Sequence, residues 1–300
     1  MMPIRPFLYV LLILSLLACA KTDVPSFTDS TLYIFGDSLS DVGNANAASA
    51  GLVPDINYYE GRFSNGPIFP DLLAQSLATP MKSSRSYGSN YAFAGMRSIA
   101  VNAQVFNYQE NVNGVADAAA IYIIWSGAND LLELLRNPDS TNTVSTAIAH
   151  IANAIENLSS MGAQKIIVLN QVNMAKLPRT IAAENETPGT LAAASVLTDE
   201  FNVALTNKLN EIETIPEKNI STIRFDVHAL FEDMTANPTN YGLENVSEPC
   251  YIKNEFAVEL SGNETICDSP DEYLFWDSIH PTTAGHKILS EQLEITINAN

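Results

Sequence analysis

Positive charge is what this chain has least of: 15 lysines and arginines stand against 34 aspartates and glutamates, a formal charge of −19. A phosphate backbone would be repelled over most of such a surface, which excludes nucleic acid as a partner. Cysteine is scarce, three in 300 residues, and there are only four histidines. Long apolar runs are lacking too. The one near the N-terminus, "FLYVLLILSLLA", is shorter than the roughly 20 residues that span a bilayer. No internal repeat and no low-complexity linker divides the remainder. With 46% hydrophobic residues, the chain fills a sizeable core, so disorder is not its main state.

What is there begins with that apolar run. Residues 1–20, with Arg5 ahead of the run and small residues behind it, have the pattern of an export signal. Two processing routes overlap at "LLACAK": Ala18 and Ala20 form an A-x-A site for ordinary secretion, whereas Leu16, Leu17, Ala18 and Cys19 form a lipobox with Cys19 as lipid anchor. The protein is therefore expected in a secreted or periplasmic setting or, alternatively, as an outer-membrane lipoprotein held through Cys19. Either route leaves Cys250 and Cys267 as a pair in a disulfide-permissive setting, and a bridge between them is expected. It would hold in place the residues that follow it.

Four short runs rich in β-branched and aromatic residues, "TLYIFGDS", "AIYIIWSGAND", "QKIIVLNQV" and "STIRFDVHAL", have the length of buried strands and are apolar on both faces. Helical patterns alternate with them: "PIFPDLLAQSLA", "TVSTAIAHIANAIENLSSMGAQ" with Gly162 as its C-cap, "LAAASVLTDEFNVALTNKLNEIE" and "TAGHKILSEQLEITI". This alternation predicts an α/β fold, with one parallel sheet covered by helices on both faces. Residues 27–300 form a single domain in this reading, with a polar excursion at about 232–275.

In an open parallel sheet the carboxyl ends of the strands form the ligand crevice. Gly36-Asp37-Ser38, Ser126-Gly127-Ala128-Asn129 and Asn170-Gln171 all fall there. A serine hydroxyl is a poor nucleophile at neutral pH and needs a base in reach, and the base needs an acid to fix its tautomer. Among the histidines, His150 falls in an apolar helical period, His228 closes a strand, and His286 lies within the last helix. His280 sits in a loop before Pro281, where a side chain can lean into the crevice. Asp277 precedes it by three residues, within reach of the imidazole; alone, it reads equally as a helix N-cap or a surface turn. A metal site built from Asp277, His280 and His286 is not supported, because the two histidines do not share a helix face. No cofactor is expected.

Four ordered blocks, "FGDSLSDVGN", "NYAFAGM", "SGANDL" and "DSIHP", resemble the GDSL or SGNH lipolytic hydrolases, from residue 32 to the last helix. A fifth stretch, "GRFSNGPIFPDLLA", resembles the branch of phospholipases, lecithinases and glycerophospholipid acyltransferases. From the residues alone it reads as a turn leading into a helix. The resemblance implies a three-layer α/β/α sandwich with a central parallel sheet. It implies Ser38 as nucleophile, His280 as base, Asp277 as its partner, and the backbone N–H groups of Ser38 and Gly95 with the Asn129 amide as oxyanion donors. By residue type alone Gly95 is a loop glycine and Asn129 a turn asparagine.

Asp37, Asp41 and Asn44 are expected to organise the loop after the first strand, and Trp125 and Trp276 to pack in the core or line an acyl channel. The expected activity is hydrolysis of lipid esters by a lysophospholipase or phospholipase A, with acyl transfer as a second outcome and peripheral membrane contact. The alternatives are a carbohydrate acetylesterase on the same scaffold and an inactive surface-binding protein.

Overall fold

Residues 32–253 and 264–300 are described by the computed structural model; the leader and Cys19 lie outside them. The four apolar runs form strands β1 (Leu32–Gly36), β2 (Ile121–Trp125), β3 (Lys165–Leu169) and β4 (Thr222–Phe225), paired in parallel in that order. Every residue of β1 and β2 is buried. Burial on both faces explains why these strands read as continuous apolar runs and not as alternating ones.

The free edge of β1 is occupied as well. Ile34 N donates to Ser89 O, Tyr91 N to Ile34 O and Phe93 N to Gly36 O, at 3.1, 2.7 and 3.1 Å. Residues 89–93 therefore run parallel along β1 on the side away from β2, with Ile34 opposite Asn90. The chain thus leaves β1 in one direction for residues 89–93 and in the other for β2. Such a reversal opens a crevice at the carboxyl end of the strand where it occurs, and here that strand ends at Gly36, two residues before Ser38.

Helices are α1 (Asn44–Ala48), α2 (Phe69–Ser76), α3 (Ile99–Asn111), α4 (Ala128–Arg136), α5 (Val144–Ser160), α6 (Pro178–Glu186), α7 (Thr190–Glu213), α8 (Val227–Ala236) and α9 (Thr283–Asn298). α3, α5 and α7 pack side by side, and α2 packs on α9. Sheet and flanking helices make a three-layer α/β/α sandwich.

In α5 the buried positions Val144, Ala147, Ile148, Ile151, Ile155 and Leu158 make one stripe, each large aliphatic contributing about 1.5–3 kcal/mol by leaving water. Thr143 opens this helix by accepting from Thr146 N at 3.1 Å, and Met161, not Gly162, is its C-cap.

Two further expectations are corrected. β4 stops at Phe225, and Asp226 caps α8 by accepting from Ala229 N, so His228 lies in the first turn of a helix and does not close a strand. Asn129 belongs to the first turn of α4, not to a free turn. Within 232–275, residues up to Ala236 complete α8, and β5 (Asn245–Pro249) runs parallel to β8 (Tyr273–Phe275). Between them β6 (Tyr251–Ile252) and β7 (Thr265–Ile266) form an antiparallel pair, joined by a disulfide between Cys250 and Cys267.

Candidate active site

Gly36 ends β1 against the backbone of β2, where a Cβ would lie 2.1 Å from Trp125 O at φ +155. Any other residue would push the two strands apart. The Gln104 side chain closes the ladder, accepting from Gly36 N at 2.9 Å and donating to Gly36 O at 2.8 Å. Asp37 then turns the chain by accepting from Leu39 N at 3.1 Å. Ser38 is left at the rim, 8% exposed.

On the other side of the rim, β8 leads into a short loop closed by Trp276 N donating to His280 O at 2.7 Å and Thr282 N donating to Leu274 O at 2.9 Å. Asp277 Oδ1 accepts from the Ile279 and His280 amides at 2.9 and 2.7 Å. Asp277 Oδ2 faces His280 Nδ1 at 2.7 Å, and His280 Nε2 faces Ser38 Oγ at 2.9 Å. An ionised carboxylate only accepts hydrogen bonds, so Nδ1 carries the imidazole proton and Nε2 is left bare toward the serine hydroxyl. Burial alone would raise the Asp277 pKa. The His280 charge and hydrogen bond, the Tyr58 hydroxyl and the Ile279 amide together outweigh burial and hold it below the usual range, so the group stays ionised.

The stretch "GRFSNGPIFPDLLA" seats this loop. Arg62 pairs with Asp71 at 2.7 Å, Ser64 Oγ donates to Pro281 O at 2.9 Å, and Asn65 Oδ1 accepts from Thr283 N at 2.8 Å. The Phe63 ring lies 5.2 Å from that of His280.

Gly95 takes φ +75, a left-handed conformation natural to glycine. Asn129 Nδ2 donates to Met96 O at 3.0 Å, which ties α4 to the Gly95 loop. Ser38, Gly95, Asn129 and His280 line one cleft of about 420 Å³, whose other walls include Val53, Phe63 and Phe93. Behind Ser38 lies a small apolar chamber of about 30 Å³ bounded by Trp125, Leu132, Met174 and Phe231. A third cleft, about 740 Å³, borders His280 and Asp277 from the side of Tyr58, Pro178 and Tyr251.

Of the remaining candidates, Trp125 is buried and also walls the small chamber, while Trp276 packs against Tyr251 at 5.3 Å between ring centroids. His150 lies on α5, away from these clefts. His286 is buried within α9. Asn170 accepts from His228 N and Gln171 donates to Ser126 O, so both serve the strand ends structurally. Asn44 donates to Asn90 O and Ala92 O.

Two contributors escaped sequence reasoning. Tyr58 donates its hydroxyl to Asp277 Oδ2 at 2.6 Å from 219 positions away, and Gln104 brackets Gly36 from 68 positions away. Nothing local in "NYYEG" or "VNAQV" marks either of them.

The chain is similar to Lipase 1 of Photorhabdus luminescens, 26% identical over 98% of this chain and 54% of that protein. It is likewise similar to the thermolabile hemolysin of Vibrio parahaemolyticus, 26% identical over 86% of this chain and 61% of that one. It thus spans little more than half the length of these relatives. An acetyl xylan esterase from Geobacillus stearothermophilus shares the fold, with a TM-score of 0.51 at 16% identity over 91% of this chain and 96% of that one. The model of the GDSL-like Lipase/Acylhydrolase family matches residues 32–293, from the first residue of β1 through most of α9, and the chain belongs to that family.

Proposed function

We propose that this protein is an exported serine hydrolase of lipid acyl esters, a lysophospholipase or phospholipase A. The observation that carries the reading is the unbroken line from Ser38 Oγ through His280 to Asp277 Oδ2, with steps of 2.9 and 2.7 Å, at the edge of an apolar cleft.

In this mechanism Ser38 Oγ bonds to the ester carbonyl carbon while His280 Nε2 takes its proton. Asp277 stabilises the resulting imidazolium. The carbonyl oxygen becomes an oxyanion, met by the amides of Ser38 and Gly95 and the side chain of Asn129, each donor worth about 3 kcal/mol in a water-poor site. Collapse breaks the ester C–O bond, and His280 returns the proton to the leaving oxygen. Water repeats the sequence on the acyl-serine, giving the free acid and restoring Ser38. An alcohol in place of that water would give acyl transfer.

Support for a lipid substrate comes from the cleft walls of Val53, Phe63 and Phe93 and from the name of one bacterial relative, Lipase 1. The charge of −19 disfavours approach to anionic bilayers and favours zwitterionic or lysolipid substrates. Support for export comes from the signal-like leader and from the Cys250–Cys267 bridge. A second reading, deacetylation of a carbohydrate, is favoured by one feature: the chamber directly behind Ser38 is only about 30 Å³, room for a very short acyl group.

The test is a panel of lysophosphatidylcholine, diacyl phosphatidylcholine, short-chain esters and acetylated xylan, assayed with the native protein and with Ser38→Ala. Long-acyl lysolipid should be the better substrate, and the variant should lose at least about 10⁴-fold in kcat. A preference confined to acetyl esters would transfer the assignment to the second reading. Undiminished turnover by a folded Ser38→Ala protein would remove the serine mechanism altogether.

A further inference from the structure

We propose that Tyr58 is a positioning residue of this reaction, a fourth member in line behind Ser38, His280 and Asp277 that acts through the Asp277 carboxylate. The inference rests on the serine-hydrolase reading and goes beyond it.

The geometry is specific. Tyr58 donates to Oδ2 at 2.6 Å, the same oxygen that accepts from His280 Nδ1, whereas Oδ1 is taken up by two backbone amides. The carboxylate therefore has one oxygen fixed by the loop and one shared between imidazole and phenol. Tyr58 is 7% exposed. Burial first, and the Asp277 charge second, push its pKa above the ordinary value, so it remains a donor at any working pH.

Its ring is held from several sides. Tyr251 and Trp276 meet it edge-on at 5.7 and 6.3 Å, and Phe63, which also contacts His280, lies at 6.0 Å. Lys253 Nζ stands 4.5 Å over the ring and is paired with Asp55 at 2.9 Å. Tyr251 directly follows Cys250 and Lys253 comes just after the strand, so the disulfide-bridged strand pair braces one side of the phenol. The other titratable groups coupled to the Asp277–His280 pair are Asp37 at the end of β1 and His286 on α9, each of which feels the His280 charge.

The direction of the effect follows from charge. A hydroxyl hydrogen-bonded to Oδ2 draws off part of the negative charge that would otherwise stabilise the imidazolium. It thereby tempers the carboxylate's pull on the imidazole while holding the carboxylate in line. Removing the hydroxyl leaves Oδ2 with the imidazole alone, so His280 should become more basic and less well oriented.

The experiment uses Tyr58→Phe, which keeps the ring and its packing, with Tyr241→Phe as a control that loses a hydroxyl donated to a different carboxylate, Asp233, away from the three clefts. On a soluble short-chain ester, Tyr58→Phe should lower kcat about tenfold with KM within about twofold. It should move the acid limb of the kcat/KM profile up by about 0.5–1 pH unit. The His280 ring resonances, titrated by NMR in the Ser38→Ala background, should shift upward by a similar amount, a readout that needs no turnover. Tyr241→Phe should leave both in place. In an Asp277→Ala background, Tyr58→Phe should have no further effect on kcat.

A silent Tyr58→Phe, or effects of Tyr58→Phe and Asp277→Ala that simply multiply, would overturn the proposal. Either result alongside an inactive Ser38→Ala would leave the serine mechanism standing, so the two readings fail separately.

Discussion

Asp41 Oδ2 accepts the backbone N–H of Ala94 at 2.9 Å, which joins the loop after Ser38 to the loop that carries Gly95. The same carboxylate accepts from Gly43, Asn44 and Ala45, so one buried side chain sets the spacing between Ser38 and Gly95, the nucleophile and an oxyanion donor of the proposed reaction. Burial raises its pKa, and the four amides oppose that rise.

Asp41→Asn places an N–H where only acceptors fit and should loosen the Gly95 loop. Because a donor shift of even 1 Å weakens oxyanion stabilisation, kcat should fall about 10–100-fold with KM little changed. Steady-state kinetics on a soluble ester, with circular dichroism to verify the fold, provides the check. An unaltered kcat in a folded variant would rule out this coupling.

Asp37 makes stability pH-dependent in the opposite sense to an ordinary paired carboxylate. Burial raises its pKa from 3.8 to about 7, against the opposing pull of the Leu39 amide and the His280 charge. The folded state therefore holds this proton up to about pH 7, while the unfolded chain releases it near 3.8. Stability is undiminished below the unfolded value and is lost as pH rises through the folded one. At 1.36 kcal/mol per unit, the loss is on the order of 4 kcal/mol. Asp37→Asn keeps the acceptor for Leu39 N and removes the titration. Its gain over the native protein in chemical denaturation should be near zero at pH 4 and grow toward pH 8; a gain independent of pH would contradict this account.

The contrast between Ser38 and Tyr58 shows how far the sequence could be read. Strands β1 to β3 were legible because burial on both faces leaves an almost uninterrupted apolar run, β4 by its β-branched and aromatic residues although only Phe225 is buried, and α5, α7 and α9 because their stripes are long. Ser38 was legible as a polar end on a buried strand, and Asp277 with His280 as an acid and base three positions apart, with the four-block resemblance supplying Gly95 and Asn129. Residues 89–93 carry no such signal, since the segment mixes Ser89, Asn90 and Tyr91 and is held by a few hydrogen bonds to β1. Its placement nevertheless makes β1 the point of chain reversal. Tyr58 and Gln104 act through contacts 219 and 68 positions apart, which no local spacing encodes. His228 was misread because β4 is only four residues long, so Asp226 begins a helix where the apolar pattern still continues.

The disulfide closes a separation of 17 residues. Restricting the unfolded chain by a loop of that size stabilises the fold by about 3 kcal/mol in the chain-entropy model. Replacing both cysteines by serine should therefore lower the denaturation free energy by that amount, measured at pH 7 against the native oxidised protein. Equal midpoints for the two proteins would show that the bridge contributes nothing to stability.

His286 should govern the acid side of the stability profile. It is 1% exposed beside Phe69, and neither ring nitrogen has a hydrogen-bond partner among the described residues. Burial first, and the His280 charge second, lower its pKa from 6.5 to about 3. In the folded protein it is neutral where the unfolded chain would already be protonated. Its contribution is complete above pH 6.5 and is lost as pH falls toward 3. Over that interval the loss is on the order of 5 kcal/mol. His286→Leu offers a similar volume with no proton to take up, so its denaturation free energy should decline less steeply than the native one between pH 6.5 and 4. The two profiles should converge near neutrality apart from a constant packing difference. Parallel curves across the acid range would mean that His286 reaches water or a partner when it protonates, and that other groups drive the acid unfolding.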